Sequence, residues 1–259
     1  MDAHPVEQLV PLLNEHRARL AAEGSVAMAS DGDHTLWDGD VGEAMFEMAV
    51  EDGKLRPAAA RHLASEAHTW GVAVSSEDPN AIGKTLLAAH RAGHYPPQPA
   101  FAMMAWAFAG WRIDELAGYC EEFLDRFGFE DRKRASLRPA LDWAAEHDVP
   151  FWLVSASPLS IATAAAKRLG LSEDRVVAMT PAVEDGVVVP YLAVPATYGP
   201  GKPARLSART DAKLLVGMGD SDYDAALMEA AAIAVAVGAK PSLMKRLETM
   251  TQPVVLVED

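Results

Sequence analysis

Apolar and polar positions divide the chain into two regimes. From Ser136 onward short apolar runs alternate with helically spaced stretches. Phe151 to Val154, Val176 to Met179, Val187 to Val189, Leu214 to Val216, Ile233 to Val237 and Val254 to Val257 read as strands. Helix patterns separate most of them, at 137–144, 158–169, 202–208 and 222–231. Ser157 followed by Pro158 reads as a helix start, a hydroxyl cap before a proline in the first turn. Glu184, Asp185 and Gly186 read as a turn. Val26 to Ala29 joins the strand set, since an apolar run with no turn residue inside it suits a strand buried on both faces.

Residues 41–135 lack this alternation and predict helices. The clearest covers 112–127, where Ile113, Leu116, Cys120, Leu124 and Phe127 form one stripe and Gly128 follows as a stop. Val6, Leu9, Val10, Leu13 and Leu20 predict a further helix before the first strand. Repeated strand–helix units imply an α/β fold, a Rossmann-like doubly wound parallel sheet with helices on both faces. The expected organisation is an N-terminal helix over 1–22, an α/β core from 23–40 and 136–259, and a helical cap domain at 41–135 over the strand ends. Pro96, Pro97 and Pro99 interrupt that insertion and suggest a hinge or linker.

Composition narrows the partners. Lys and Arg total 23 against 37 acids, a formal charge of −14. Nucleic acid or an anionic membrane surface would be repelled. The single cysteine, Cys120, permits neither an intrachain disulfide nor a cysteine metal cluster. The N-terminus has no basic start with a continuous apolar core, and the most apolar window, Phe101 to Trp111, is too short to span a bilayer. A soluble cytoplasmic protein is expected.

The candidate chemistry lies at strand ends. Asp31, Gly32, Asp33, His34 and Thr35 place two carboxylates and a hydroxyl directly after the first apolar run. Side-by-side carboxylates repel unless a cation or a shared proton intervenes; the alternative is a hydrated acidic turn. Ser155 ends the next strand and either donates to an anion or starts a turn. Lys202 follows a Gly-Pro-Gly turn and is either a solvated surface residue or a cation offsetting clustered acids. Asp220 and Asp224, in GMGDSDYD, either face a cation or accompany a helix capped by Ser221. Capping accounts poorly for Asp220, which precedes the cap. Gly83-Lys84-Thr85 resembles the end of a phosphate loop but lacks its first glycine, Asp78 standing there.

In this order and spacing the set Asp31-Gly32-Asp33-His34-Thr35, Ser155, Lys202 and Gly219-Asp220 with Asp224 resembles the four motifs of the haloacid dehalogenase superfamily. It is most similar to the phosphoserine phosphatase type, with a helical cap inserted after the first motif. The resemblance implies a Mg²⁺-dependent phosphomonoester hydrolase in which Asp31 attacks phosphorus and Asp33 is the general acid and base. It implies that Thr35, Ser155 and Lys202 hold phosphate, and that Asp31, the Asp33 backbone carbonyl, Asp220 and Asp224 hold the metal. Dehalogenases of the superfamily lack a carboxylate at the Asp33 position, so phosphoryl transfer is expected. Two departures are His34, where glycine is common, and Tyr223, where the phosphoserine enzymes usually carry Asn.

Asp40 falls where that type places the acid that meets a substrate amino group, with Glu43 one turn further on. The pair implies a small cationic phosphomonoester such as phosphoserine, phosphoethanolamine or phosphocholine; alternatively Asp40 and Glu43 form a capping arrangement. Trp37, Trp70, Trp106 and Trp111 either wall a quaternary ammonium or pack in a core. Transfer of the phosphoryl group to another hydroxyl acceptor, and a non-catalytic phospho-ligand module, are the alternative activities.

Overall fold

The computed structural model describes residues 3–258. The chain opens with β1 (Ala3–Pro5), α1 (Leu9–Ala21) and β2 (Val26–Ser30). Helices α2 (Val41–Glu51), α3 (Pro57–Thr69), α4 (Pro79–Arg91), α5 (Pro97–Trp106) and α6 (Ile113–Phe127) follow. Next come α7 (Arg138–Glu146), β3 (Phe151–Pro158), α8 (Leu159–Arg168), β4 (Val176–Met179), β5 (Pro181–Glu184) and β6 (Val187–Leu192). The chain closes with α9 (Gly201–Ser207), β7 (Lys213–Gly219), α10 (Ala225–Glu229), β8 (Ile233–Val237), α11 (Pro241–Leu247) and β9 (Val254–Val257).

Among the described residues seven strands form one parallel sheet in the order β1-β9-β8-β7-β2-β3-β4. From β2 the chain moves outward through β3 to β4, then returns to the other side of β2 at β7. The order therefore reverses between β2 and β7, and ligands of open α/β sheets bind in the crevice outside such a reversal. Every residue of β2 is buried. Val26 and Met28 join the larger apolar cluster, while Ala27 and Ala29 meet Trp152, Val154, Leu206 and Leu227. Alternation of two inward faces explains why this strand reads as an unbroken apolar run.

Helix α6 ends where its sequence says, with Gly128 in the left-handed conformation at φ 68°. Pro97 stands in the first turn of α5, so the proline-rich stretch is a helix start. Gly83 lies inside α4, which accounts for the false phosphate-loop signature.

Four expectations need correction. The N-terminus contributes a strand as well as a helix: β1 pairs with β9, Ala3 opposite Val254. A three-residue edge strand with alternating exposure has no apolar run to betray it. Val187 to Val189 belongs to β6, which pairs antiparallel with β5 outside the main sheet. Its turn is Asp185-Gly186, with φ 47° and 77°, as a two-residue hairpin requires. Gly110 N–H donates to the Val188 carbonyl and Val188 N–H to that of Trp111, both at 2.9 Å, tying the hairpin to the α5–α6 connection. Third, β3 runs on to Pro158, and Ser157 makes no helix cap. Fourth, α10 starts only at Ala225, because Asp220 to Asp224 are used otherwise. Among the described residues no helix is long and apolar enough to cross a membrane.

Candidate active site

Asp31 directly follows β2, and its amide donates to the Met218 carbonyl of β7 at 3.0 Å. The carboxylate is thereby set at the strand reversal. Lys202, in the first turn of α9, inserts its ammonium between two acids, 2.6 Å from Asp31 Oδ1 and 2.5 Å from Asp224 Oδ1. All three side chains are buried. A buried lysine between two carboxylates is a paired charge, so the surface reading of Lys202 does not hold. Burial acts downward on Lys202, yet Asp224 and Asp31 hold its pKa above the ordinary value. Burial pushes the Asp31 carboxyl well upward; Lys202 opposes this, while Asp224 and Asp33 add to it.

Asp224 is fixed by its own loop. Its Oδ2 accepts from the Asp220 amide at 3.3 Å, the Ser221 amide at 3.1 Å and the Ser221 hydroxyl at 2.9 Å. Ser221 thus holds Asp224 instead of capping a helix. Gly219 makes room for this fold-back, since a Cβ there would collide with the Asp224 side chain.

Asp33 is held on both oxygens. Oδ1 accepts from Val41 N–H at 2.7 Å and Trp37 Nε1 at 3.0 Å, and Oδ2 from the Ser157 hydroxyl at 2.6 Å. The Ser155 hydroxyl lies at 3.5 Å from Oδ2 and accepts from the Ser157 amide at 3.0 Å. Ser157 lines the pocket, whereas Ser155 stands behind it. Residues two apart on a strand share a face, so Ser155-Ala156-Ser157 carried a signal for both hydroxyls; the proline after Ser157 disguised it as a cap.

The pocket is small, about 110 Å³. Asp31, Asp33 and Lys202 line it, with Asp220 on the β7 side and Asp40 at the start of α2. Burial raises the Asp220 carboxyl, an effect that Lys240 opposes. Lys240 Nζ sits 2.6 Å from Asp220 Oδ2, an ionic contact off the line of a hydrogen bond. Lys240 follows β8, and only the pairing of β8 with β7 brings it here; no local pattern marks it. His34 lines the pocket with φ 57°, the left-handed region that explains why glycine suits this position.

Asp40 caps α2, its Oδ1 accepting from Glu43 N–H at 2.7 Å, and the residue also lines the pocket. Burial and the nearby Asp33 push its carboxyl well upward. Glu43 lies outside the pocket lining, with Oε1 2.8 Å from Arg91 Nε. Thr35 is buried and also off the lining, and its hydroxyl has no hydrogen-bond partner among the described residues. Among the described residues no tryptophan lines the pocket. Trp37 is buried beneath the acidic turn, filling the space a Gly32 Cβ would need. Trp106 and Trp111 are core residues, and Trp70 packs on Tyr95 at 6.0 Å. The aromatic lining comes instead from Phe101 and Tyr223.

Asp31, Asp220 and Asp224 each offer a carboxylate oxygen, all within 4.8 Å of one another. An all-oxygen, acid-rich donor set fits a hard divalent cation such as Mg²⁺. Because Asp224 already accepts on both oxygens, Asp31 and Asp220 have the freer lone pairs.

The chain resembles several solved structures at low identity, and these share its fold. A protein of unknown function from Bordetella pertussis Tohama I superposes with a TM-score of 0.69 at 17% identity, covering 89% of this chain and 98% of that one. A haloacid dehalogenase family hydrolase from Salmonella enterica subsp. enterica serovar Typhi gives 0.54 at 17% identity, over 85% and 65%. A phosphoserine phosphohydrolase-like protein from Francisella tularensis subsp. tularensis SCHU S4 gives 0.51 at 13%, over 88% and 94%. No curated protein matches the chain. The family model for haloacid dehalogenase-like hydrolases matches residues 28–229. That match runs from the strand before Asp31 to the helix after Asp224 and spans most of the chain, which therefore belongs to the haloacid dehalogenase-like hydrolase family.

Proposed function

We propose that this hydrolase cleaves small phosphomonoesters by way of an aspartyl-phosphate on Asp31. The observation that carries the reading is the division of labour between two adjacent carboxylates. Asp31 Oδ1 is neutralised by Lys202, leaving Oδ2 for attack, whereas Asp33 is held by Val41, Trp37 and Ser157 beside it. In the first step an Asp31 oxygen bonds to phosphorus while the bond from phosphorus to the ester oxygen breaks. The departing oxygen takes the proton of Asp33. In the second step Asp33 accepts a proton from water, whose oxygen attacks phosphorus and releases phosphate from Asp31. A serine hydroxyl both donates and accepts, so the Ser157 contact survives each change of Asp33 protonation.

Lys202 offsets the negative charge that gathers around Asp31 and the phosphoryl group. Ser155 and Thr35 remain the proposed hydroxyls behind the phosphate site, with Ser157 added by its place on the wall. Mg²⁺ would be held by Asp31, Asp220, Asp224 and the Asp33 carbonyl, and when bound it lets an anionic nucleophile approach an anionic ester. Residues 41–135 would act as the cap over the strand ends. Asp40, opening onto the pocket, supports an ester with a cationic end; Glu43, paired with Arg91, is withdrawn from that role.

The test is phosphate release from a panel of phosphomonoesters with and without Mg²⁺. Release that needs magnesium and is abolished in a folded Asp31→Asn variant is expected. Release that persists in this variant would overturn the aspartyl-phosphate route.

A further inference from the structure

We infer that the alcohol part of the substrate carries an amine or alkylammonium and no carboxylate, an inference that rests on the phosphomonoesterase reading above. The chemistry of the pocket wall away from Asp31 carries it. Of the helices between β2 and β3, only Phe101 of α5 contributes to the lining, joined by Asp40 just before α2. Tyr223, from the loop before α10, lines it as well. Phe101 is 6.0 Å from the ring of Tyr198, which is 4.7 Å from that of Tyr223, so three aromatic rings run without a break from α5 to the loop before α10.

A carboxylate and two aromatic rings attract a cation, the rings through their electron-rich faces. The Asp40 carboxyl group and the ring faces offer no positive charge to an anion, and of these three residues only Tyr223 carries a neutral O–H able to donate to one. The groups able to carry positive charge on the lining are Lys202, Lys240 and His34. Lys202 is locked between Asp31 and Asp224, Lys240 sits on Asp220, and His34 belongs to the turn that carries Asp31 and Asp33. All three serve the end of the pocket where metal and phosphate would lie. Among the described residues no arginine lines the pocket. Arg91, on the neighbouring α4, is engaged by Glu43 and Glu47. A substrate carboxylate would thus find no counter-ion from the helical segment, whereas an ammonium beside Asp40 offsets the burial and the nearby Asp33 that disfavour its ionised form. The same wall fits an ammonium, and the aromatic surface favours one with methyl groups.

The experiment compares kcat/KM of the full chain with Mg²⁺ for phosphoethanolamine, phosphocholine, O-phosphoserine and glycerol 2-phosphate. The two amino-alcohol esters should exceed the other two by tenfold or more. Phe101→Leu and Tyr223→Asn should each lower kcat/KM for phosphocholine several-fold more than for glycerol 2-phosphate. Calorimetric affinities of Asp31→Asn for the four esters should follow the same order. Magnesium-dependent turnover with phosphoserine equal or preferred overturns this inference while leaving the phosphatase reading intact. If that preference disappears in Lys240→Met, the carboxylate sits on Lys240. Absence of magnesium-dependent release from all four esters and from p-nitrophenyl phosphate overturns both.

Discussion

The Ser157 hydroxyl donates to Asp33 Oδ2 at 2.6 Å, joining the end of β3 to the turn after β2 across 124 residues of sequence. Ser157→Ala leaves that oxygen only the 3.5 Å contact with Ser155. Positioned acid–base groups contribute roughly 10²–10⁴-fold, and loss of one support is expected to lower kcat about tenfold with little change in KM. Steady-state kinetics across pH check this. An unaltered kcat and pH profile would mean that Asp33 needs no help from β3.

Lys202 is the only cation in contact with both Asp31 and Asp224 among the described residues. Replacing it with methionine strands two buried carboxylates. A loss of about 3–5 kcal/mol is expected in the absence of metal, as for other broken buried pairs. Urea unfolding with and without Mg²⁺ measures it, and the deficit should shrink when the metal supplies a replacement charge.

Asp40 is pushed upward on folding by burial and by Asp33. A raised carboxyl pKa means the folded chain keeps a proton that the unfolded chain has lost. The stability this contributes is complete below about pH 3.9, the unfolded value, and is lost as pH rises through the folded-state value. Asp31 and Asp220 shift in the same direction. Asp40→Asn keeps a side chain able to cap α2 but removes the charge. Measured without metal, the variant should gain on the parent as pH rises from 4 toward neutrality. Urea midpoints at several pH values test this, and a parent–variant difference independent of pH would contradict it.

At Gly219→Ala the added methyl meets the Asp224 side chain. Overpacking of this kind costs about 1–3 kcal/mol. Because Asp224 must move, weakened Mg²⁺ binding should accompany the lower unfolding midpoint; calorimetry separates the two effects. Alanine at Gly53, where no neighbour lies within reach of a Cβ but φ is 66°, should lower stability through backbone strain without altering metal affinity.

Much of this molecule is written locally. Apolar runs marked β2, β7, β8 and β9, the stripe from Ile113 to Phe127 marked α6, and the acids after β2 and β7 marked the site. Burial on two faces, a 3.6-residue stripe and a strand-end cluster of charge are properties of neighbouring residues. What escaped was either too short or too ambiguous to carry a period. β1 has three residues, and Ser157 beside Pro158 satisfies the pattern of a helix cap as well as that of a strand end.

The sequence by itself determined six of the seven strands of the main sheet, the helical stretch between the first two core strands and the order of the acidic and basic positions. Only the tertiary structure decided which of them meet. Lys202 reaches Asp31 across 171 residues, Lys240 arrives beside Asp220 because β8 pairs with β7, and Glu43 is drawn away by Arg91. Phe101 comes to face the same pocket as Tyr223, while the tryptophans sink into the core or pack elsewhere. Strand order and helix packing are set by burial summed over the whole chain, so contacts between distant side chains have no signature in either residue's own neighbourhood.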